Sequence, residues 1–233
     1  MATGALKEED TDRIDQLQFM RKVLGIVGGQ LFVTFVIILG AAASGYGSPF
    51  WLFVTSFGCF ITCICVYFSS LIALMCVPSL RHQAPVNYIM LFIFTISMSF
   101  MLAGITAWLS FQSVLLSIGV LMLTLCCLFG GVMMVPVKPK LILGLVIACL
   151  CAVLLQLIVG ISLCFAGYIT SGWYVFYCVL GIFICSILIY IDLVIVMLAG
   201  KYAMDEYIYC ALLLYIDIVR LLLYLLMLFG KGK

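Results

Sequence analysis

The chain has 233 residues, of which 67% are apolar and 9% are charged. Soluble domains average roughly 45 to 50% apolar and about 25% charged residues, so this composition excludes an ordinary water-soluble fold. The formal net charge of +2 excludes a strongly basic nucleic-acid binder, because eleven Lys and Arg over the whole chain produce no field dense enough to collect phosphates. The composition therefore predicts an integral membrane protein.

Long apolar stretches predict an all-α membrane protein, a bundle of seven transmembrane helices. A hydrocarbon core of about 30 Å needs about 20 apolar residues per helix, and polar, Pro and Gly residues separate the stretches. Residues 1–22 are a polar tail with five acids, four bases and no apolar core of a cleavable signal peptide, so the first span is expected to direct membrane insertion. Residues 23–233 are predicted to form one transmembrane domain, with spans Val23 to Ala43, Phe50 to Val77, Val86 to Leu109, Val114 to Val135, Leu141 to Ile169, Trp173 to Ala199 and Tyr207 to Phe229.

The distribution of Lys and Arg predicts a cytosolic N-terminus. Only Lys231 and Lys233 fall on the far side if all seven segments cross. Because basic residues concentrate in cytosolic loops, the N-terminal side is predicted to be cytosolic. The last segment carries charges near its middle, so it is expected either to cross the membrane or to return as a re-entrant hairpin. The bases on the N-terminal side are Lys7, Arg13, Arg21, Lys22, Arg81, Lys138, Lys140 and Lys201.

The twelve cysteines predict neither a disulfide framework nor a metal site. They lie within the predicted apolar spans, where Cys behaves as a small hydrophobic residue. The chain has one histidine, His82, and no C-x-x-C sequence, so a zinc site has little support and no cofactor is predicted.

Two acidic residues, Asp192 and Asp217, are embedded in apolar sequence. A carboxylate inside a bilayer is costly unless it is protonated, paired or hydrated, which makes both residues functional candidates. If the polar turn is Gly200 to Glu206, they lie roughly 12 and 16 Å along their helices from it. In an antiparallel hairpin the two carboxyl groups would therefore lie at similar depth and could face each other.

Two carboxyl groups that meet in a low dielectric tend to share one proton, which predicts a pH-sensing latch. A shared proton or a bound cation would hold the two helices together, and ionisation of both acids would push them apart and admit water or ions. Arg220 lies one turn after Asp217, so a simple neutralising ion pair is the alternative. A three-residue site and a plain ion pair both remain open.

Short motifs along nearly the whole chain resemble the Bax-inhibitor and lifeguard superfamily, the transmembrane BAX inhibitor motif proteins. The opening is similar to the F-x-R-K-V-Y and Q-L-x-x-T stretches of that family, the middle to P-x-N-y-x-L-L and F-T, and the closing part is the most specific. The matching residues are Phe19–Gly25, Gln30–Thr34, Pro85–Leu91, Phe94 and Thr95, Trp173 and Tyr174, Tyr190–Asp192, Asp205–Ile208, Ala211 and Leu212, and Leu214–Ile218.

The resemblance implies a bundle of six helices around the last one, in the endoplasmic reticulum, the Golgi or related membranes, or the plasma membrane. It also implies modulation of calcium stores and restraint of apoptosis, through a pH-sensitive calcium leak whose closing aspartates correspond to Asp192 and Asp217. Calcium is then the expected permeant ion and a weak ligand of this pair. Besides the bilayer, membrane proteins of cell-death control are the expected partners, and no enzymatic activity is expected.

The chain departs from the family pattern near the predicted latch, which indicates a divergent member. Met98 stands where many relatives carry glutamate, Leu193 where a threonine usually follows the first aspartate, and Leu213 where an asparagine precedes the second. A D-F-T-like stretch after the fourth helix is replaced by Val135–Lys138. These changes are expected to remove cation ligands and to make the pore or gate drier.

Two other functions fit the same residues. A non-conducting interaction protein that inhibits apoptosis through small-residue helix faces is favoured if the departures have closed the pore. An intramembrane aspartyl protease would also use two adjacent aspartates, but no G-x-G-D sequence surrounds Asp217.

Overall fold

The computed structural model of the chain describes residues 2–77, 83, 85–134, 171–202 and 206–232. The predicted span Leu141 to Ile169 lies outside the described residues, as do His82, Lys138 and Lys140. Within the described ranges the chain forms seven α-helices and no β-strand. They are α1 Ala2–Ala43, α2 Pro49–Thr55, α3 Phe57–Cys76, α4 Val86–Thr106, α5 Phe111–Met134, α6 Ser171–Tyr202 and α7 Tyr207–Phe229.

Six of the described helices are long and apolar enough to cross a membrane. The all-helical class and the multi-pass character are therefore confirmed, whereas the complete seven-span topology stays a prediction. The six candidate spans are Gln18–Ala43, Phe57–Cys76, Val86–Thr106, Phe111–Val132, Tyr174–Val196 and Tyr207–Phe229.

The second predicted span, Phe50 to Val77, is interrupted at Ser56, so the prediction of one helix there was wrong. Ser56 has extended backbone angles (φ −68°, ψ 138°), and its hydroxyl accepts a hydrogen bond from the backbone N–H of Cys59. Serine favours such positions because its side chain replaces a missing partner at the start of a helix. α2 therefore ends at Thr55, and α3 alone has the length of a membrane span.

Two other helices differ from their predicted bounds. α1 continues through the polar tail without interruption, because residues 5–24 contain neither Gly nor Pro and many good helix formers. α6 passes through Gly200 to end at Tyr202, so the turn before α7 is shorter than predicted. α7 has its predicted bounds and is one uninterrupted helix, with no hairpin turn inside it.

The chain forms two compact units, and α6 and α7 contribute to both. The first comprises Met1–Phe111, Ile195–Tyr215 and Gly232–Lys233, and in it α4 packs against α1, α2 and α3. The second comprises Gln112–Val194 and Ile216–Lys231. In the first unit Gly104 permits a close approach of α4 to α2, because a Cβ atom there would lie 3.0 Å from the carbonyl oxygen of Val54.

Candidate functional site

α6 and α7 lie side by side and antiparallel within the second unit. The hydroxyl of Tyr174 donates a hydrogen bond to the carbonyl oxygen of Met227 (2.9 Å), and the rings of Tyr177 and Tyr224 meet edge to face with centroids 6.0 Å apart. These contacts set the register in which the residues farther along the two helices meet.

Asp192 and Asp217 lie next to each other in this register. Asp192 is ten residues before the end of α6 and Asp217 ten residues after the start of α7, about 15 Å of helix in each case. The two side chains are close enough to interact with each other electrostatically. The two aspartates lie at the same distance from the turn because α6 extends beyond Gly200.

Arg220 pairs with Asp217 on the same helix face. Its Nη1 atom donates a hydrogen bond to Oδ1 of Asp217 across 3.2 Å. The side chain of Asp217 is 15% exposed and that of Arg220 is 41% exposed, so the ion pair lies at the edge of the bundle. Arg220 is also close enough to act electrostatically on Asp192. All three residues of the predicted site therefore come together, and the plain ion pair is one part of that arrangement.

One oxygen of the aspartate pair has no partner among the described residues. Oδ2 of Asp192 is buried and accepts no hydrogen bond there. A buried acceptor without a donor is costly, and a proton or a cation would relieve that cost. The described residues contain no group of three or more His, Cys, Asp or Glu side chains able to hold a metal ion. Since Ca²⁺ takes six to eight oxygen ligands, two carboxyl groups alone would hold it weakly.

Two further residues border the aspartate pair and were missed from the sequence. Cys185 is 1% exposed and lies near Asp217 and Arg220, and Tyr224 lies near Cys185 and Arg220. Cys185 precedes Asp192 by seven residues, a spacing that places two side chains on one helix face. That spacing is the sequence feature from which Cys185 could have been predicted to lie near the aspartate pair.

The departures from the family pattern at Met98, Leu193 and Leu213 divide between the two units, and the one at Val135–Lys138 lies outside the described residues. Leu193 belongs to the same unit as the aspartates and is buried, with 1% exposure. Met98 on α4 and Leu213 on α7 belong to the other unit and are partly buried.

A cluster of uncharged polar side chains lies in the first unit, and we refer to it as the hydroxyl cluster. It joins α1, α4 and α7 through short contacts: Gln30 Nε2 donates to Thr95 Oγ1 (2.8 Å), and the Thr34 hydroxyl lies 2.9 Å from that of Ser99 and 2.8 Å from that of Tyr215. All five side chains are buried. The sequence signal was the i, i+4 spacing of Gln30 with Thr34 and of Thr95 with Ser99, in otherwise apolar helices.

Comparison with known proteins gives one family assignment. The family model described as "Inhibitor of apoptosis-promoting Bax1" matches residues 16–233. No curated protein matches the chain at a significant level. The matched residues contain both aspartates, Arg220 and the whole hydroxyl cluster. Because the match extends over nearly the entire chain, this multi-pass helical protein belongs to the Bax inhibitor family.

Proposed function

We propose that the protein modulates intracellular calcium as a pH-sensitive calcium leak and thereby restrains apoptosis, with Asp192 and Asp217 as the gate. The observation that supports this proposal is the side-by-side placement of two carboxyl groups on adjoining antiparallel helices. Membership of the Bax inhibitor family supports the link to cell death.

The gate would work through the charge on the aspartate pair. With one proton between them, Asp192 and Asp217 carry a single negative charge, which Arg220 offsets. When that proton is lost, two negative charges stand close together in a low dielectric and repel each other, which separates α6 from α7. The separated carboxylates would attract a divalent cation, so opening and calcium entry would be favoured together.

The pH response of calcium efflux tests the gate. We expect purified protein in liposomes to release calcium faster at about pH 8 than at about pH 6, because loss of the shared proton leaves both aspartates charged. Asp192→Asn and Asp217→Asn carry a side chain that cannot ionise, so their efflux at the higher pH should remain at the level seen at the lower pH. Fluorescence of a calcium indicator outside the liposomes gives the rate.

Glu206→Gln is the matched control, because Glu206 is an acid in the same hairpin. It directly precedes α7 and lies eleven residues before Asp217. Its efflux should follow that of the unsubstituted protein. Efflux from the unsubstituted protein that does not change with pH, in protein shown to be folded, would contradict the latch.

A non-conducting interaction protein is the second candidate function, and the burial of Leu193 favours it. Leu193 follows Asp192 on α6, and its side chain is 1% exposed, so this position of the helix contributes a buried apolar group and no hydroxyl that could bind water or a cation. Survival of stressed cells that express the Asp192→Asn, Asp217→Asn double variant separates the two functions. Full protection by this variant would select the interaction protein, and loss of protection would select the leak.

A further inference from the structure

The hydroxyl cluster lies near the middle of the membrane-spanning helices that contribute to it. Gln30 is close to the midpoint of the candidate span Gln18–Ala43, and Thr95 is close to that of Val86–Thr106. Both side chains are buried, with exposures of 6% and 1%. Polar groups at this depth have no bulk water to satisfy them, so each donor and acceptor needs an internal partner.

The protons of the cluster can be counted. The hydroxyls of Thr34, Thr95 and Ser99 each donate to the carbonyl oxygen four residues earlier on the same helix, at 2.9, 2.8 and 2.7 Å. The hydroxyl of Tyr215 lies 2.8 Å from that of Thr34 and can donate to it. In the 2.9 Å contact between Thr34 and Ser99 either hydroxyl can be the donor. Whichever donates, the number of protons in the cluster stays the same. The four hydroxyls therefore donate their protons to one another and to the backbone.

Gln30 retains one end of its amide without a partner. Nε2 donates to Thr95 Oγ1, whereas Oε1 is buried and accepts no hydrogen bond from any residue in the described part of the chain. Rotating the amide by half a turn would place the oxygen against Thr95, whose hydroxyl would then donate to Gln30 in place of the Leu91 carbonyl oxygen. The amino group would be left in the unpaired position. In either orientation one end of the amide faces a position that needs a small polar group.

The chemistry of that position selects the ligand. A cation would satisfy only the amide oxygen, and an anion would satisfy only the amino group. A water molecule donates and accepts, so it satisfies either orientation, and buried waters typically bind to polar groups that lack a protein partner.

We propose that Gln30 and the hydroxyl cluster form an internal water-binding site near the middle of the bilayer. This inference goes beyond the proposed calcium leak and does not depend on it, because the site contains no charged residue and lies in the unit that does not hold Asp192 and Asp217. Its consequence is a position inside the first unit at which a water molecule finds hydrogen-bonding partners.

Magnetisation transfer from water to glutamine side chains in solid-state NMR tests the site. Protein with ¹⁵N-labelled glutamine is placed in lipid bilayers, and the Gln30 signal is assigned as the one that disappears in Gln30→Leu. We expect transfer from water to the Gln30 amide, as for Gln112, which is exposed and serves as the positive control. A resolved Gln30 signal without transfer, in a sample where Gln112 shows it, would overturn the proposal.

Radical labelling gives a second readout in the same bilayers. X-ray irradiation produces hydroxyl radicals from bound water, which modify aromatic side chains beside it. Tyr215 is 0% exposed, so its modification requires an internal water. We expect labelling of Tyr215 in the unsubstituted protein and a several-fold decrease in Gln30→Leu, with no change in Gln18→Leu, where the same substitution is made at an exposed position. Unlabelled Tyr215 in the unsubstituted protein would contradict the site, and neither readout involves calcium.

Discussion

Tyr215 connects α7 to two other helices of the first unit. Its hydroxyl contacts Thr34 on α1, and its ring meets that of Phe94 on α4 edge to face, with centroids 6.0 Å apart. Phe94 in turn stacks on Tyr67 of α3 at 5.2 Å. One side chain of α7 thereby contributes both a polar and an aromatic contact to the first unit.

Substitutions at Tyr215 are expected to separate these two contributions. Tyr215→Phe removes only the hydroxyl and should lower the free energy of unfolding by about 1 kcal/mol, the usual effect of one hydrogen bond between membrane helices. Tyr215→Ala also leaves a cavity and should cost about 3–5 kcal/mol. Denaturant unfolding in mixed micelles measures both values. Tyr88→Phe is the control, because the Tyr88 side chain is 46% exposed and its hydroxyl contact is long, at 3.4 Å. An equal loss in Tyr88→Phe and Tyr215→Phe would contradict the assigned role.

At the scale of helices, the length of an apolar stretch allows the bounds of a helix to be predicted. A break or continuation that depends on one residue is missed. α7 has its predicted bounds because Glu206 and Gly230 delimit an apolar stretch of the right length. The break at Ser56 was missed because one hydroxyl interrupts the helix without changing the hydropathy around it. The continuation of α6 past Gly200 was missed because a lone glycine weakens a long helix without ending it.

The proximity of the two aspartates could also be predicted from the sequence. Charges in an apolar stretch stand out, so Asp192, Asp217 and Arg220 could be selected and their proximity expected from the hairpin. The hydroxyl cluster could not be assembled, because each Thr or Ser in an apolar helix can satisfy its hydroxyl on its own backbone. Only the packing of α1, α4 and α7 brings these side chains within hydrogen-bonding distance.

Substitution by alanine is expected to have opposite effects at two glycines, because Gly104 lies where α4 meets α2 and Gly119 has open space around it. Gly104→Ala would place a Cβ 3.0 Å from the carbonyl oxygen of Val54, so α2 must shift, and we expect a lower melting temperature. Gly119→Ala on α5 meets nothing within 4 Å among the described residues. It should raise stability by about 0.5–1 kcal/mol, because alanine restricts the unfolded chain. Thermal unfolding in detergent measures both, and a stabilised Gly104→Ala protein would show that α2 and α4 do not pack closely.

At the scale of the whole molecule, the positions of the basic residues predict which loops face the cytosol. α1 is followed by a short connection before α2, and α3 is followed by the segment that contains Gln83. In a chain without other reactive cysteines, we expect a membrane-impermeant thiol reagent in the cytosol to modify Gln83→Cys but not Gly45→Cys. Gly45 has open space around it, so this substitution is tolerated. The reverse pattern of labelling would place the N-terminus in the lumen.

The uninterrupted α1 makes the N-terminal part of the chain a helical arm. Residues 2–17 continue the candidate span Gln18–Ala43 as one helix and extend it by about 24 Å. A change of 10° in the tilt of the span would displace the end of this arm by about 4 Å relative to the point where it leaves the membrane. A spectroscopic label near Ala2 would therefore amplify small rotations of the first membrane helix into distances that can be measured from outside the bilayer.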